Sequence, residues 1–322
     1  MKVTIIGGAG GMGRWFAEFF TGNGVEVRIV DKSPETKAIA NQIGVEFLNT
    51  DILNVTEGEA AGNEEIVDTD VLLVSVPIDI TGRVIERVGP KMHEDSLLMD
   101  ITSVKKMPVA MMQKFTTASI EILGTHPLFG PTAKSMRGQT IIFVPSRKGP
   151  LYERIYGMFE RNGARIEVLT AEEHDEIISV ILGLTHFILL SFGITLKNLD
   201  FDVERSRRFM SPMYEIIMDF VGRLLHQDPH LYAMIQTNFE MTEIHESFLT
   251  VANRLYELVS AGKVDELMEE MKMAKRHFGD TERAMMDSDR VIEEKINLSL
   301  CGAQPHDPAS PVRAYKKALP KK

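Results

Sequence analysis

The sequence predicts an α/β fold in which a doubly wound, mostly parallel sheet at the N-terminus is followed by an all-α domain. Three observations predict it. The chain opens on a β-branched run that ends in glycines. Apolar runs of strand length then alternate with helical spacings as far as Val168, and beyond Thr170 the strand pattern stops.

Residues 3–6 are a short apolar run bounded by glycine, which reads as a buried strand rather than a helix. Gly8, Gly10 and Gly13 then supply G-x-G-x-x-G, one glycine (Gly7) precedes them, and residues 12–20 continue with helical spacing. In a nucleotide-binding βα unit the first glycine makes the tight turn and the second lets backbone approach a pyrophosphate. The third lets helix and strand pack closely, so that the helix N-terminal amides face the phosphates. Residues 25–30 form a second strand that ends on Asp31. An acid at that distance is placed to accept hydrogen bonds from the adenosine ribose and to repel a 2′-phosphate. This is a Rossmann-type arrangement that prefers NAD over NADP, with Lys32 softening the preference. The cofactor-binding set is Gly8, Gly10, Gly11, Met12, Gly13 and Asp31, joined by Ser75 and Pro77 from the end of a later strand.

That later strand is residues 71–76, a continuous apolar run typical of a central parallel strand buried on both faces. Before it come a short helix at 34–42, a strand at 45–48 and a polar, acidic stretch at 49–70 that reads as a surface loop or weak helix. After it come a helix at 78–88, a strand at 96–100 and a turn through Thr102 to Lys105. A strand at 119–123 delivers Gly124-Thr125-His126-Pro127, and strands at 140–144 and 165–168 flank a helix at 151–161.

Thr170-Ala-Glu-Glu173 is a capping box opening the second domain. Four helical patterns follow, at 182–199, 213–225, 231–258 and 264–278, carrying more apolar residues than one small bundle covers. Part of that surface is therefore expected to pack on a second copy of the chain, giving a homodimer. The domains are read as 1–169, 170–300 and a flexible tail at 301–322.

At 322 residues with 44% hydrophobic and 25% charged residues, the composition is that of a globular protein. A net charge of −10 excludes nucleic acid as the expected partner. The single cysteine, Cys301, fits a reducing compartment. No apolar run reads as long enough to span a membrane, and a cytoplasmic protein with no membrane partner is expected. The cluster from Glu172 to Glu176 is read as acids suited to a helix N-terminus rather than a metal site; no metal is expected.

Ligands of open parallel sheets sit beyond the carboxyl ends of the strands. Three polar side chains fall there: Ser75, Ser103 and His126. His126, between a strand and the rigid Pro127-Leu-Phe-Gly-Pro131 loop, is suited to taking a proton from a substrate hydroxyl as hydride leaves the same carbon. The competing reading is a histidine bonded to a loop carbonyl.

Gly124-Thr-His126-Pro-Leu-Phe-Gly-Pro131 resembles the signature loop of prephenate dehydrogenases, and Asp100-Ile-Thr-Ser103-Val-Lys105 resembles that family's serine-bearing segment. Ser211-Pro-Met-Tyr214 with Gly222-Arg223 through Asp228-Pro229 resembles its substrate-binding helix, and His277-Phe-Gly-Asp280 resembles a late helix. The resemblance runs from residue 1 to about 289. It implies NAD held by the glycine loop and Asp31, with His126 accepting the proton of the prephenate ring hydroxyl. Ser103 would bond that hydroxyl or orient His126, and Arg223 would grip a substrate carboxylate through a bidentate fork. His186 and Gln227 match further substrate-facing positions. Pro131-Thr132 departs from the Thr-Glu of some members, and a chorismate mutase activity at the N-terminus is not expected. The implied reaction is NAD-dependent oxidative decarboxylation of prephenate. The alternatives are arogenate (cyclohexadienyl) dehydrogenase, or a non-catalytic NAD- or tyrosine-binding regulator, and tyrosine is a possible feedback inhibitor.

Overall fold

The computed structural model describes residues 1–54, 60–238 and 241–302. The chain divides into two compact units, residues 1–183 with 230–240, and residues 184–229 with 241 onward.

The first unit is built on an eight-stranded sheet. In chain order its elements are β1 (Lys2–Ile6), α1 (Gly11–Gly22), β2 (Glu26–Asp31), α2 (Thr36–Ile43), β3 (Glu46–Asn49), α3 (Ala60–Val67), β4 (Val71–Val74) and α4 (Ile78–Val88). They continue with β5 (Leu97–Asp100), α5 (Lys106–Phe115), β6 (Glu121–Pro127), β7 (Thr140–Arg147), α6 (Pro150–Arg161), β8 (Arg165–Val168) and α7 (Ala171–Ile178). The strand order is β3-β2-β1-β4-β5-β6-β7-β8. Every neighbouring pair is parallel except β6 with β7. The order reverses between β1 and β4, and this is where such sheets open a crevice for a ligand.

Burial explains the sheet. Every residue of β4 and of β5 is buried, as continuous apolar runs covered on both faces require. On one face α1 packs Phe16, Phe19 and Phe20 against Phe159 of α6, with ring centroids of Phe19 and Phe159 5.1 Å apart, and Trp15 stacks on Phe19. Edge and offset packing of this kind adds to the area term.

Two sequence expectations need correcting here. The strand read at 119–123 runs from Glu121 to Pro127, so His126 lies inside a strand and not after it. Antiparallel pairing with β7, which sets His126 opposite Ile142, carries the ladder through polar residues that no apolar pattern marks. The helix expected to open the second domain, α7, buries Ala171, His174 and Ile178, and its contacts group it with the first unit. Its capping box is present: Thr170 Oγ1 accepts from the Glu173 amide at 3.2 Å, and Glu173 accepts from the Thr170 amide at 2.8 Å.

The second correction concerns the apolar run. α7 passes through a π-helical turn (Ser179–Leu184) into α8 (Thr185–Asn198). The resulting helix, Ala171–Asn198, is long and apolar enough to cross a membrane by length and composition. Serine, threonine, histidine and glycine punctuate the stretch, but no charged residue lies between Glu176 and Lys197. Those polar residues hid its length.

The second unit holds α8, α9 (Val203–Ser206), α10 (Pro212–His226), α12 (Thr242–Ser260), α13 (Val264–Phe278) and α14 (Thr281–Gly302). The pattern read as one helix at 231–258 is two, α11 (Pro229–Asn238) and α12, and His230 onward in α11 belongs to the first unit. α8 and α10 pack closely where Gly193 meets Val221, since a methyl there would lie 3.0 Å from Val221 Cγ1. Lys295 of α14 reaches Glu215 (3.3 Å) and Asp219 of α10. α14 escaped the sequence reading because its apolar residues are few, and Met285, Met286 and Val291 stay exposed. The tail expected to be flexible lies, from residue 303, outside the described residues.

Candidate active site

A cleft of about 360 Å³ opens at the carboxyl ends of β1, β2 and β4, where the strand order reverses. Gly10, Asp31, Ser75 and Pro77 line it, as do Gly7, Lys32, Asp51 and Arg83. The glycines divide their work differently from the expected pattern. The left-handed residue of the turn is Gly7 (φ 82°), the one read as surplus, and its amide donates to Val30 O at 2.8 Å. Gly8 instead allows close packing: a Cβ there would sit 2.5 Å from Ile29 Cβ on β2. At Gly13 it would sit 2.2 Å from Gly7 O, which fixes α1 against the turn. Gly10 is exposed on the cleft side, leaving backbone open to a ligand. Gly11 and Met12 form the first turn of α1, Gly11 exposed and Met12 half-buried. Gly13→Ala is expected to cost nucleotide affinity and fold stability together, because backbone and not a flexible side chain would have to move. Equal nucleotide binding and an unchanged melting temperature in the variant would refute that packing role.

Asp31 also faces the turn. Its Oδ2 accepts from the Ala9 amide at 3.1 Å and its Oδ1 from the Ser33 amide at 3.0 Å. The carboxylate therefore holds the glycine loop in shape while lining the cleft.

His126 is buried near the end of β6, two strands along the sheet from β4. Its loop turns back over α1: Trp15 Nε1 donates to Ala133 O at 2.7 Å, and Phe129 meets Trp15 at 5.0 Å between ring centroids. Pro131 lies against Gly11, where a Cβ would come within 3.1 Å of Pro131 Cγ. The segment that follows the histidine is thus anchored to the start of the nucleotide-type helix.

Around His126 is a chain of buried polar groups. His126 Nδ1 lies 2.9 Å from His174 Nε2, and His174 Nδ1 lies 2.7 Å from Asp175 Oδ1. Asp175 accepts from the Lys105 amide at 2.7 Å and the Lys106 amide at 3.0 Å. Beside this chain, Lys105 Nζ is fully buried and donates to Asp100 Oδ2 and, at 3.2 Å, to Thr102 Oγ1. Burial, then the neighbouring His174 and Lys105, hold the His126 imidazole well below its ordinary pKa, so it stands as a neutral base. Burial also lowers His174, against the pull of Asp175. Burial pushes Asp175 up, but the hydrogen bonds from His174 and the two lysine amides outweigh it and leave the carboxyl below its usual range.

Ser103 lies half-buried between β5 and α5, and among the described residues no hydrogen bond joins it to His126. The orienting partner of His126 is His174, a residue that sequence reasoning set aside with its acidic neighbours. Its signal was its place in the capping-box helix, four residues after Thr170, on the face that turns to the sheet. Lys105 was quoted only as part of a motif, although its burial makes it a feature of the site. His186 on α8, Arg223 on α10 and Gln227 at the end of α10 belong to the second unit; Arg223 is exposed, and burial lowers the His186 pKa.

A cleft at the switch point of a doubly wound sheet, with a buried histidine farther along the same edge, defines a nucleotide-binding class of α/β protein. Residues 16–168 match the nucleotide-binding domain of prephenate dehydrogenase, and residues 170–273 match the family's dimerization domain. The chain belongs to the prephenate dehydrogenase family. It is 36% identical over 298 residues to a probable arogenate/prephenate dehydrogenase of Methanocaldococcus jannaschii, covering 91% of this chain and 64% of that relative. It therefore spans somewhat less than two thirds of that relative's length. It is 28% identical to the T-protein of Haemophilus influenzae, over 92% of this chain and 72% of that one. In fold it is similar to prephenate dehydrogenase from A. aeolicus solved in complex with hydroxyphenyl propionate and NAD+ (TM-score 0.68, 21% identity), with 86% of this chain and 96% of that one covered.

Proposed function

We propose that the protein is an NAD-dependent prephenate dehydrogenase that converts prephenate to 4-hydroxyphenylpyruvate. The observation that carries this reading is His126: a neutral, buried base on the carboxyl side of the sheet, its loop anchored to α1 beside the cleft. The residues present suit a dinucleotide, since Gly10 leaves backbone open at the cleft while Gly8 and Gly13 let β2 and α1 close on the turn that shapes it. Asp31, at the end of β2, is the residue for the adenosine ribose. When bound, NAD supplies the hydride acceptor.

The chain's own work is positioning and proton removal. His126 takes the ring-hydroxyl proton as the carbinol carbon is oxidised, and loss of carbon dioxide then restores the aromatic ring. Ser103 is the second group proposed at that hydroxyl. Arg223 is proposed to hold a substrate carboxylate, with His186 and Gln227 as further contacts. Arg223→Ala is expected to weaken prephenate binding by roughly 2–5 kcal/mol if the charge pair is desolvated. Unchanged affinity by titration calorimetry would assign the carboxylate to another cation.

Arogenate is the second substrate to consider, because the 36%-identical relative is named for both. The deciding measurement is NADH formation with prephenate and with arogenate, each repeated with NADP. Turnover of prephenate with NAD supports the proposal, and a preference for arogenate replaces the substrate while keeping the base. Nucleotide binding without turnover of either points to the regulator. Adding tyrosine to the same assay tests feedback inhibition. The match to a dimerization domain and the exposed Phe209, Phe220 and Tyr256 support a homodimer, which sedimentation tests.

A further inference from the structure

The hydrogen positions in the His126–His174–Asp175 chain follow from the order of its members. Asp175 is a carboxylate that already accepts two backbone amides, and it offers His174 only acceptor oxygens. His174 Nδ1, 2.7 Å away, must therefore carry the hydrogen. A neutral His174 then presents a lone pair at Nε2. His126 Nδ1, at 2.9 Å, faces that lone pair and must donate to it. The lone pair of a neutral His126 is left on Nε2.

We propose that His174 and Asp175 are positioning residues that fix His126 as its Nδ1–H tautomer, making Nε2 the basic atom and sharing the positive charge once a proton arrives. No bond other than those to hydrogen changes in this step. The substrate O–H proton goes to His126 Nε2, and the hydrogen already on Nδ1 stays between the two imidazoles. The arrangement serves the purpose of the carboxylate in a Ser-His-Asp triad, with a second imidazole inserted between base and acid. The Lys105 and Lys106 amides lock the carboxylate at the far end, and burial of both imidazoles keeps water from the bond between them. His174 Nδ1–H and its neutral state are supported by its burial.

The tautomer stands on the geometry of the chain and the burial of His174, whereas its effect on turnover rests on the reading of His126 as the base. The test separates the two. In 15N-histidine-labelled protein without substrate, two-bond proton–nitrogen NMR, with His126 assigned through His126→Asn, is expected to show His126 protonated at Nδ1 and unprotonated at Nε2. Asp175→Asn, whose amide can donate to His174, is expected to reverse both rings and lower kcat for prephenate about tenfold or more, with KM changed less than about threefold. His174→Gln keeps an acceptor facing His126 and is expected to retain the Nδ1–H tautomer and more turnover than His174→Leu. An Nε2–H tautomer of His126 in the unmodified protein overturns the proposal, as does wild-type kcat in both Asp175→Asn and His174→Leu. Absence of turnover with any cyclohexadienyl acid refutes the reaction reading, while the NMR arm still decides the tautomer.

Discussion

Replacing His126 by Asn is expected to lower turnover of prephenate about a hundred-fold or more, equivalent to roughly 2.7 kcal/mol of barrier, with substrate still bound. Asn retains a polar side chain that can hydrogen-bond, so the loss is that of the proton acceptor. Near-wild-type kcat would remove His126 as the base. The same residue sets the acid side of the pH profile. A base works only while unprotonated, and burial holds His126 well below 6.5. Activity should therefore be level from pH 7 down through 6.5 and fall only when pH drops through the lowered pKa. An acid limb centred at or above pH 7 would contradict a buried, neutral His126.

The second large effect falls on stability. Asp100→Ala leaves the fully buried Lys105 ammonium with the Thr102 hydroxyl at 3.2 Å as its hydrogen-bond partner and only the more remote charge of Asp175. Removing one partner of a buried ion pair costs about 3–5 kcal/mol, because the other charge stays out of water. For a unit of this size that is a drop of roughly 6–20 °C in melting temperature. Replacing Asp100 and Lys105 together by Leu and Met should recover much of the loss, since two apolar groups leave no stranded charge. If Asp100→Ala melts with the unmodified protein, the pair contributes nothing, and burial of Lys105 needs another cause.

What the sequence revealed and what it hid separate along physical lines. The β1–α1–β2 unit was legible because close backbone approach demands glycine, and because β-branched strands advertise themselves through composition. Even there the turn residue was misassigned, since Gly7 and Gly8 differ only in φ, which composition does not carry. The proposed base, His126, was legible as a polar group near the carboxyl end of a strand, and the resemblance of the Gly124–Pro131 segment sharpened that reading. His174 was not legible: its neighbours Glu173 and Asp175 gave it the look of a solvated first turn. Burial of that face arises from packing α7 against the sheet, a tertiary fact. Lys105 was hidden for a like reason, since a lysine after a strand is ordinarily exposed. The break between α11 and α12 and the length of Ala171–Asn198 were obscured by polar residues whose effect on helix continuity depends on context.

The double attachment of Asp31 limits how coenzyme choice can change over evolution. The usual exchange that admits a phosphorylated ribose removes the acid at this position. Here that exchange would also release the Ala9 amide and slacken the loop that shapes the cleft. Selection for the phosphorylated coenzyme would thus meet a fitness valley at position 31. The smoother path runs through Lys32 and Arg83, which already stand at the rim as cations. A lineage of such proteins can broaden its coenzyme range at those two positions and keep its aspartate.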